Sequence, residues 1–274
     1  MVTTAKKRIL VTGGATFLGY NITAALLAEG VDVTVLVRPE AQDHLGPLKQ
    51  HVTWWAADVW DTASLRGRAR GHQMVIHTVG SMMALPEQGL TYHRMNFVSA
   101  RNVATMCVSD GVPEMILLSS VRAPWINRKY IQSKREAEQY VERVGVQGTV
   151  IRSPLVYDRG QQRVLFFRLM TLLGTVPPIS WLGFNRIAPI PVDLLARGVA
   201  RLALEPERNK HIYYASDMRR RIRRDEHAIG LPIVSQSSDS NLDDTQPKRP
   251  TSMPERSDDE IPFGWMPTDR TDQR

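Results

Sequence analysis

The feature that most constrains the fold is a strand-turn-helix pattern in residues 8–27. Residues 9–11 form an apolar run typical of a buried parallel strand. Apolar residues then recur at helical spacing, at Phe17, Leu18, Ile22, Ala25, Leu26 and Leu27. Between the two patterns, Gly13, Gly14 and Gly19 allow a sharp turn and a close approach of the backbone to an anion. The pattern predicts a site for the pyrophosphate of a dinucleotide; an ordinary glycine turn is the alternative.

A second apolar strand, residues 33–37, follows the helix and completes a β-α-β unit that ends at Arg38. An acidic residue at this strand end accepts hydrogen bonds from the ribose of NAD, whereas an arginine suits the 2′-phosphate of NADP. Val37 and Arg38 therefore favour NADP as the cofactor, with NAD as the alternative. A solvated surface arginine is the other interpretation of Arg38.

Further motifs follow in an order that resembles short-chain dehydrogenases/reductases of the extended or atypical kind. They are TGGATFLG at 12–19, DV at 58–59, VIHTVG at 75–80, MNFVSARNV at 95–103, LLSS at 117–120, YIQSK at 130–134, RSPLVY at 152–157 and PVD at 191–193. Among these proteins, the segments WWAAD at 54–58, HTVG at 77–80 and YIQSKREAE at 130–138 are most similar to two subgroups. These are the coenzyme Q biosynthesis reductase-like proteins of fungi and the nucleotide-binding accessory subunit of respiratory complex I.

The resemblance implies a fold and a set of cofactor contacts. The expected fold is α/β, a Rossmann-type doubly wound parallel sheet over residues 1–216, with a minimal substrate subdomain mainly in residues 153–216. The implied cofactor-binding residues are Gly13, Gly14, Thr16, Phe17, Leu18, Gly19, Arg38, Asp58, Val59, His77, Gly80, Asn96, Lys134, Pro154 and Val156. Two of them have structural alternatives, since His77 fits a hydrogen-bonded histidine beneath the cofactor and Asn96 fits a tie between loops.

The resemblance also implies a catalytic set of Tyr130, Lys134 and Ser120. A tyrosine titrates near pH ~10, so a cation must lower its pKa before it acts as a base at neutral pH. Lys134 lies one helical turn from Tyr130 and supplies that cation, while Ser120 orients the substrate oxygen. A tyrosine and a lysine at this spacing are also common as surface residues, and Ser119 and Ser120 also fit a cap or turn. The choice of Ser120 over Ser119 rests on the resemblance alone.

Two departures from the family pattern bear on function. Thr16 stands where the family has glycine, so we expect its side chain to crowd the pyrophosphate or to strain the backbone. The interval between Ser120 and Tyr130 is short, which disfavours a bulky nucleotide-sugar substrate. Both departures favour the alternative function, a dinucleotide-binding structural or assembly protein without turnover.

The composition changes after residue 216. Residues 217–274 are rich in Ser, Asp, Pro and Arg and have too few apolar residues to offset ordering entropy, so we predict a mostly disordered tail. This tail carries 10 of the 35 Lys and Arg and 12 of the 28 Asp and Glu, so residues 1–216 have a net charge of +9. A phosphorylated cofactor or an anionic lipid surface explains this charge without nucleic acid, since the basic residues follow no recognition pattern. The arginines of residues 219–224 are interpreted as a solvated segment, with membrane contact as the alternative.

The remaining features limit the partners. With Cys107 as the single cysteine and the histidines scattered, we predict no metal site. Residues 1–8 lead directly into the first strand, which predicts no signal peptide and a cytoplasmic location, with an organellar or membrane-peripheral location as the alternative. The longest apolar segment, 164–184, is too broken to span a membrane. That segment is interpreted as ordinary core or as a hydrophobic substrate pocket. The sequence thus favours an oxidoreductase that transfers hydride to or from a small or hydrophobic carbonyl or alcohol substrate.

Overall fold

Short apolar runs form a parallel sheet at the centre of the computed structural model, which describes residues 6–159 and 187–222. Its seven strands are β1 Arg8–Thr12, β2 Asp32–Val37, β3 Thr53–Ala56, β4 Met74–His77, β5 Glu114–Ser120, β6 Gln147–Ser153 and β9 Ile212–Tyr214. They lie in the order β3-β2-β1-β4-β5-β6-β9, and each neighbouring pair is parallel. Two further short strands, β7 Val156–Tyr157 and β8 Ile190–Pro191, pair with each other in parallel.

Helices cover both faces of the sheet, as a parallel sheet with two apolar faces requires. They are α1 Phe17–Ala28, α2 Thr62–Leu65, α3 Ser99–Asp110, α4 Arg128–Arg143, α5 Val192–Leu204 and α6 Ala215–Arg220. Segments Pro39–Gln50 and Pro86–Gln88 are 3₁₀-helical, and a π-helical segment, His93–Val98, leads directly into α3. Helices α1 and α5 pack in one core cluster, whereas α3 and α4 pack in a second one on the other face. The predicted doubly wound α/β fold is confirmed.

The sheet topology places a crevice between β1 and β4. The chain leaves β1 for α1 on one face and leaves β4 for α3 on the opposite face. In open parallel sheets, ligands bind outside the carboxyl ends of the strands at such a switch point. The residues that follow β1, β4, β5 and β6 therefore surround the expected binding position.

The folded domain continues past residue 216, where the sequence led us to place its end. Met218 is fully buried, and its Cβ lies 2.6 Å from where a Cβ on Gly198 would stand. Arg219 donates to the carbonyl of Pro189, and Arg221 binds both carboxylate oxygens of Glu205. The interpretation of these two arginines as solvated is wrong, because each one is held within the domain. The predicted tail beyond residue 222 and the apolar segment 164–184 lie outside the described residues.

Two further sequence features have a place in this fold. Cys107 is fully buried in α3, and burial raises the pKa of its thiol to about 12. Within residues 6–159 and 187–222, no helix is long and apolar enough to cross a membrane. The same residues contain no group of three or more His, Cys, Asp and Glu side chains arranged to hold a metal ion.

Candidate cofactor and catalytic site

The turn between β1 and α1 depends on its glycines. Gly13 has a φ of +73°, a left-handed conformation that side chains disfavour. A Cβ on Gly19 would lie 2.1 Å from the carbonyl oxygen of Gly13, and a Cβ on Gly14 would lie 2.7 Å from the Cβ of Val35. The helix start therefore packs backbone to backbone against the turn, and the turn packs closely against the Val35 side chain of β2.

Thr16 does not strain this turn. Its φ of −82° and ψ of 157° are ordinary extended values, so the expected backbone strain is absent. The Thr16 hydroxyl donates to the carbonyl of Gly13 and accepts from the N–H of Gly19, which makes Thr16 the N-cap of α1. A threonine is therefore accommodated here as a capping residue, although it uses one N–H donor at the helix start.

Three other N–H groups of the turn are available to an anion. The N–H groups of Ala15, Phe17 and Leu18 have no acceptor among the described residues. They lie at the N-terminal end of α1, where the helix dipole favours negative charge. The turn therefore fits the pyrophosphate of a dinucleotide.

A cleft opens beside this turn at the carboxyl ends of the strands. It contains about 520 Å³ of empty space, part of it open to solvent. Its lining residues are Leu18, Thr78, Gly80, Met82, Leu118, Ser119, Ser120, Ile126, Tyr130, Lys134, Ser153, Pro154 and Leu155. The whole predicted catalytic set, Ser120, Tyr130 and Lys134, thus lies in a single cleft.

Tyr130 is 5% exposed and lines the cleft together with Ser120, whose hydroxyl donates to the carbonyl of Val121 at 3.1 Å. Burial raises the pKa of its phenol to about 12, and the smaller effects of Ser120 and of the Arg135 charge oppose this rise. The sequence led us to expect a lowered pKa for Tyr130, but desolvation by burial outweighs the effect of nearby cations. The phenol is protonated at neutral pH.

Lys134 lies deep in the same cleft. Its Nζ donates to the carbonyl of Leu118 at 3.2 Å and lies 6.0 Å from the centre of the Tyr130 ring. Burial lowers the pKa of the Lys134 ammonium to about 8, and the charge of Glu138 partly offsets this effect. The ammonium group is thus close to losing its proton at mildly alkaline pH.

A buried ion cluster behind the cleft was missed by the sequence reasoning. The Glu138 carboxylate, 8% exposed, accepts hydrogen bonds from Arg135, Arg152 and the Ser119 hydroxyl. Arg135 also donates to the carbonyl of Ser120 at 2.8 Å. The cluster fixes the end of β5, and therefore Ser120, against α4. The signal in the sequence was the spacing of Tyr130, Lys134 and Glu138, which places all three on one face of the helix.

Gly80 lines the cleft beside Lys134, and Asn96 packs against Gly80 outside the cleft lining. Asn96 is buried; its side chain accepts from the N–H of Ser81 and donates to the carbonyls of Ser81 and Tyr92. It therefore ties the loop after β4 to the π-helical segment. A Cβ on Gly80 would lie 2.5 Å from Nζ of Lys134 and 2.6 Å from Oδ1 of Asn96, so only glycine fits between them without displacement.

His77 is fully buried beneath the cleft and does not line it. Its Nδ1 lies 2.8 Å from the Thr12 hydroxyl, and its Nε2 lies 3.4 Å from the Ser99 hydroxyl. Because Ser99 donates to the carbonyl of Met95, its oxygen accepts from Nε2. Burial lowers the pKa of His77 to about 3, so the ring is neutral. The His77 side chain is therefore not positioned to contact a cofactor directly. Its ring instead joins β1, β4 and α3.

The other predicted cofactor residues occupy the edges of the site. Arg38 follows β2 and pairs with the exposed Glu40 at 3.2 Å. Asp58 follows β3, where its carboxylate accepts from the N–H of Trp60, and Val59 is buried. Pro154 lines the cleft, whereas Val156 is buried in β7 outside its lining.

Several lining residues were not predicted. They are Thr78, Met82, Leu118, Ser119, Ile126, Ser153 and Leu155. For most of them, the sequence offered only one indication, which was their position at or directly after the ends of β4, β5 and β6. Thr78 is also fixed by its hydroxyl, which donates to the carbonyl of Thr12.

Comparison with known proteins gives a match to one family. A model of NAD(P)H-binding proteins matches residues 13–170, which is more than half of the chain. The match covers the glycine turn, the crevice and Ser120, Tyr130 and Lys134.

Two curated relatives are reductases or dehydrogenases by name. A ceramide reductase of Caulobacter vibrioides is 29% identical over 198 residues, covering 70% of this chain and 60% of the relative. The human decarboxylating sterol-4-alpha-carboxylate 3-dehydrogenase is 30% identical over 114 residues, covering 42% of this chain and 29% of the relative. The chain thus spans less than two thirds of these relatives.

A solved structure shows the same fold. The Bordetella bronchiseptica enzyme WbmG in complex with NAD matches with a TM-score of 0.57 and 18% identity, covering 77% of this chain and 73% of that one.

Proposed function

We propose that this chain, which belongs to the NAD(P)H-binding family, is an oxidoreductase that reduces a carbonyl group of a hydrophobic substrate with NADPH. The observation that carries the proposal is the convergence of Ser120, Tyr130 and Lys134 on one cleft beside the glycine turn. A bound nicotinamide supplies the hydride for such a reaction. The residues of this chain bind the cofactor, orient the substrate and protonate the substrate oxygen.

The protonation state of Tyr130 supports the direction of reduction. Because its pKa is raised to about 12, the phenol carries a proton that it donates to the substrate oxygen as that oxygen gains negative charge. The Ser120 hydroxyl, which donates to the carbonyl of Val121 in the structure, turns to donate a second hydrogen bond to the same oxygen. Lys134, in reach of the cofactor ribose, favours the phenolate that remains and so lowers the barrier to proton transfer.

The geometry of the site supports an assignment of the residues that hold the cofactor. The N–H groups of Ala15, Phe17 and Leu18 bind the pyrophosphate, and Arg38 binds the 2′-phosphate of NADP in place of Glu40. Glu40 is 58% exposed on its side chain, so it can turn away when the phosphate binds. We therefore favour NADPH over NADH.

The substrate class is suggested by the cleft and by the names of the relatives. Met82, Leu118, Ile126 and Leu155 give the cleft apolar walls. The two curated relatives are named for a ceramide and for a sterol carboxylate, which are hydrophobic molecules. A lipid ketone or a related long-chain carbonyl compound is therefore the proposed substrate.

Replacing Tyr130 tests this proposal. With a panel of ketones of increasing chain length, Tyr130→Phe is expected to lower kcat by about 10²- to 10⁴-fold, because the general acid is lost. Its affinity for NADPH, measured by nicotinamide fluorescence, stays close to that of the unmodified protein. Tyr140→Phe, on the same helix with its hydroxyl near Thr105, is the matched control and keeps its activity.

Two outcomes contradict the proposal. Equal turnover in Tyr130→Phe and Tyr140→Phe removes Tyr130 from the chemistry. NADPH binding without turnover of any carbonyl compound supports the alternative, a dinucleotide-binding structural or assembly protein. Thr16 also favours this alternative, because its hydroxyl accepts from the N–H of Gly19 and so occupies one donor at the start of α1.

A further inference from the structure

The exposed apolar surface of the described residues is concentrated at the mouth of the cleft. Four large hydrophobic side chains are exposed in residues 6–159 and 187–222, and three of them, Met83, Leu85 and Trp125, lie in two loops that border the cleft. We call these three the apolar rim. Their neighbours Met82 and Ile126 line the cleft itself. The apolar rim therefore continues the apolar wall of the site outward to solvent.

The loop that carries Trp125 is also positively charged. Residues 121–129 contain Arg122, Arg128 and Lys129, all exposed, and no acidic residue. None of the three side chains makes a hydrogen bond or an ion pair within the described part of the chain. The opposite loop, residues 81–90, has Glu87 as its one charged residue. Net positive charge thus surrounds Trp125, which is the most exposed tryptophan in residues 6–159 and 187–222.

The loop is held in place and presents Trp125 outward. The N–H of Val121 donates to Ser153, the N–H of Ile126 donates to Ala123, and Ala123 is buried. Asn127 accepts from the N–H of Lys129 and so begins α4. The exposure of Trp125 at 57% therefore belongs to an anchored loop and is not fraying at a chain end.

We propose that the apolar rim and the basic loop of residues 121–129 dock the protein on an anionic phospholipid surface, with the mouth of the cleft facing the bilayer. Tryptophan is favoured at the level of lipid headgroups, and adjacent arginine and lysine side chains attract anionic lipids. A second copy of this chain is a poorer occupant, because a self-complementary contact sets the basic loops against each other. The inference rests on the proposed function and specifies its substrate as a carbonyl lipid taken from the membrane.

Sedimentation of the full chain with vesicles tests this docking surface. We expect binding to vesicles of phosphatidylcholine and phosphatidylglycerol, and little binding to phosphatidylcholine alone. Arg128→Ala is expected to weaken the binding about fivefold, which corresponds to the loss of one charge near an anionic surface. Trp125→Ala weakens it several-fold through loss of the apolar contact, and 1 M salt abolishes most of it, since the Debye length falls to about 3 Å.

Matched controls lie away from the cleft. Val108→Ala removes the fourth exposed hydrophobic side chain, and Arg66→Ala removes an exposed arginine without an ion pair in the described residues; both retain full binding. The inference is overturned if neither vesicle type binds, if both bind equally, or if the controls lose as much binding as Trp125→Ala and Arg128→Ala. It is also overturned if the unmodified protein is a dimer without lipid and Trp125→Ala is a monomer, because the apolar rim would then be the interface with a second copy.

Cofactor titration separates the two proposals. Trp125→Ala and Arg128→Ala are expected to bind NADPH like the unmodified protein, because neither residue touches the cofactor turn. Loss of vesicle binding with intact NADPH binding would therefore support the docking surface and leave the proposed function unaffected. A protein that binds vesicles but no nicotinamide dinucleotide keeps the docking surface and refutes the proposed function.

Discussion

At the scale of single residues, burial sets the charge of the groups in and beneath the cleft. It raises the pKa of Tyr130 to about 12 and lowers the pKa of Lys134 to about 8 and of His77 to about 3. In all three cases the neutral form is favoured, because a buried charge loses its hydration. At neutral pH, Tyr130 and His77 are therefore neutral, whereas Lys134 still carries most of its charge.

The buried His77 predicts a specific dependence of stability on pH. Its pKa is about 3 in the folded protein and near the ordinary value of 6.5 in the unfolded chain. Between these values the unfolded state binds the proton, so this residue destabilises the fold as the pH falls from 6.5 towards 3. The loss approaches about 1.4 kcal/mol per pH unit.

Urea unfolding at several pH values measures this effect. We expect the free energy of unfolding to fall less steeply with acidification in His77→Gln than in the unmodified protein. The exposed His44 provides the control variant, His44→Gln. If the free energy of unfolding has the same dependence on pH in the unmodified protein and in His77→Gln, the pKa of His77 is not lowered in the folded state, and the prediction is wrong.

At the scale of secondary-structure elements, α4 positions two of the three residues proposed to be catalytic, Tyr130 and Lys134. Tyr130, Lys134 and Glu138 follow one another at single-turn spacing and are all buried. Sequence reasoning predicted the first two from spacing and resemblance. It missed Glu138, because its partner Arg152 comes from β6 and only the parallel pairing of β5 with β6 brings that residue close.

Glu138 is expected to control the pH range in which Lys134 is charged. Its carboxylate raises the pKa of the lysine against the effect of burial, so Glu138→Gln is expected to lower that pKa further. Because the Lys134 ammonium is proposed to hold the cofactor ribose, we expect the NADPH affinity of the unmodified protein to fall as the pH rises through about 8. In Glu138→Gln the same fall occurs at a lower pH.

NADPH titration between pH 6 and ~10 measures this shift. Glu136→Gln is the control on the same helix, because its carboxylate is partly exposed and lies near His93. Glu138→Gln also leaves two arginines without their shared partner, so its unfolding free energy must be measured alongside; a decrease of about 3 kcal/mol is expected. Coinciding pH profiles of a folded Glu138→Gln and the unmodified protein would contradict the role assigned to Glu138.

At the scale of the whole molecule, the local patterns were sufficient for the fold. The glycine turn, the apolar strands and the order of motifs predicted a doubly wound sheet, which the structure has. The predicted domain boundary at residue 216 was too early. An arginine-rich segment such as residues 219–224 looks solvated in the sequence, which does not show that Arg221 binds Glu205 after α5. Thr16 was expected to strain the turn, because its role as N-cap depends on a backbone conformation that sequence alone does not show.

The measurement that tests the central claim most directly is a titration of the purified protein with NADPH and NADH, followed by nicotinamide fluorescence. We predict that NADPH binds more tightly, and that Arg38→Ala weakens NADPH binding about tenfold or more while leaving NADH binding nearly unchanged. Failure of the unmodified protein to bind either dinucleotide would contradict the assignment of the cleft as a cofactor site. Equal weakening of both dinucleotides by Arg38→Ala would contradict its preference for NADPH.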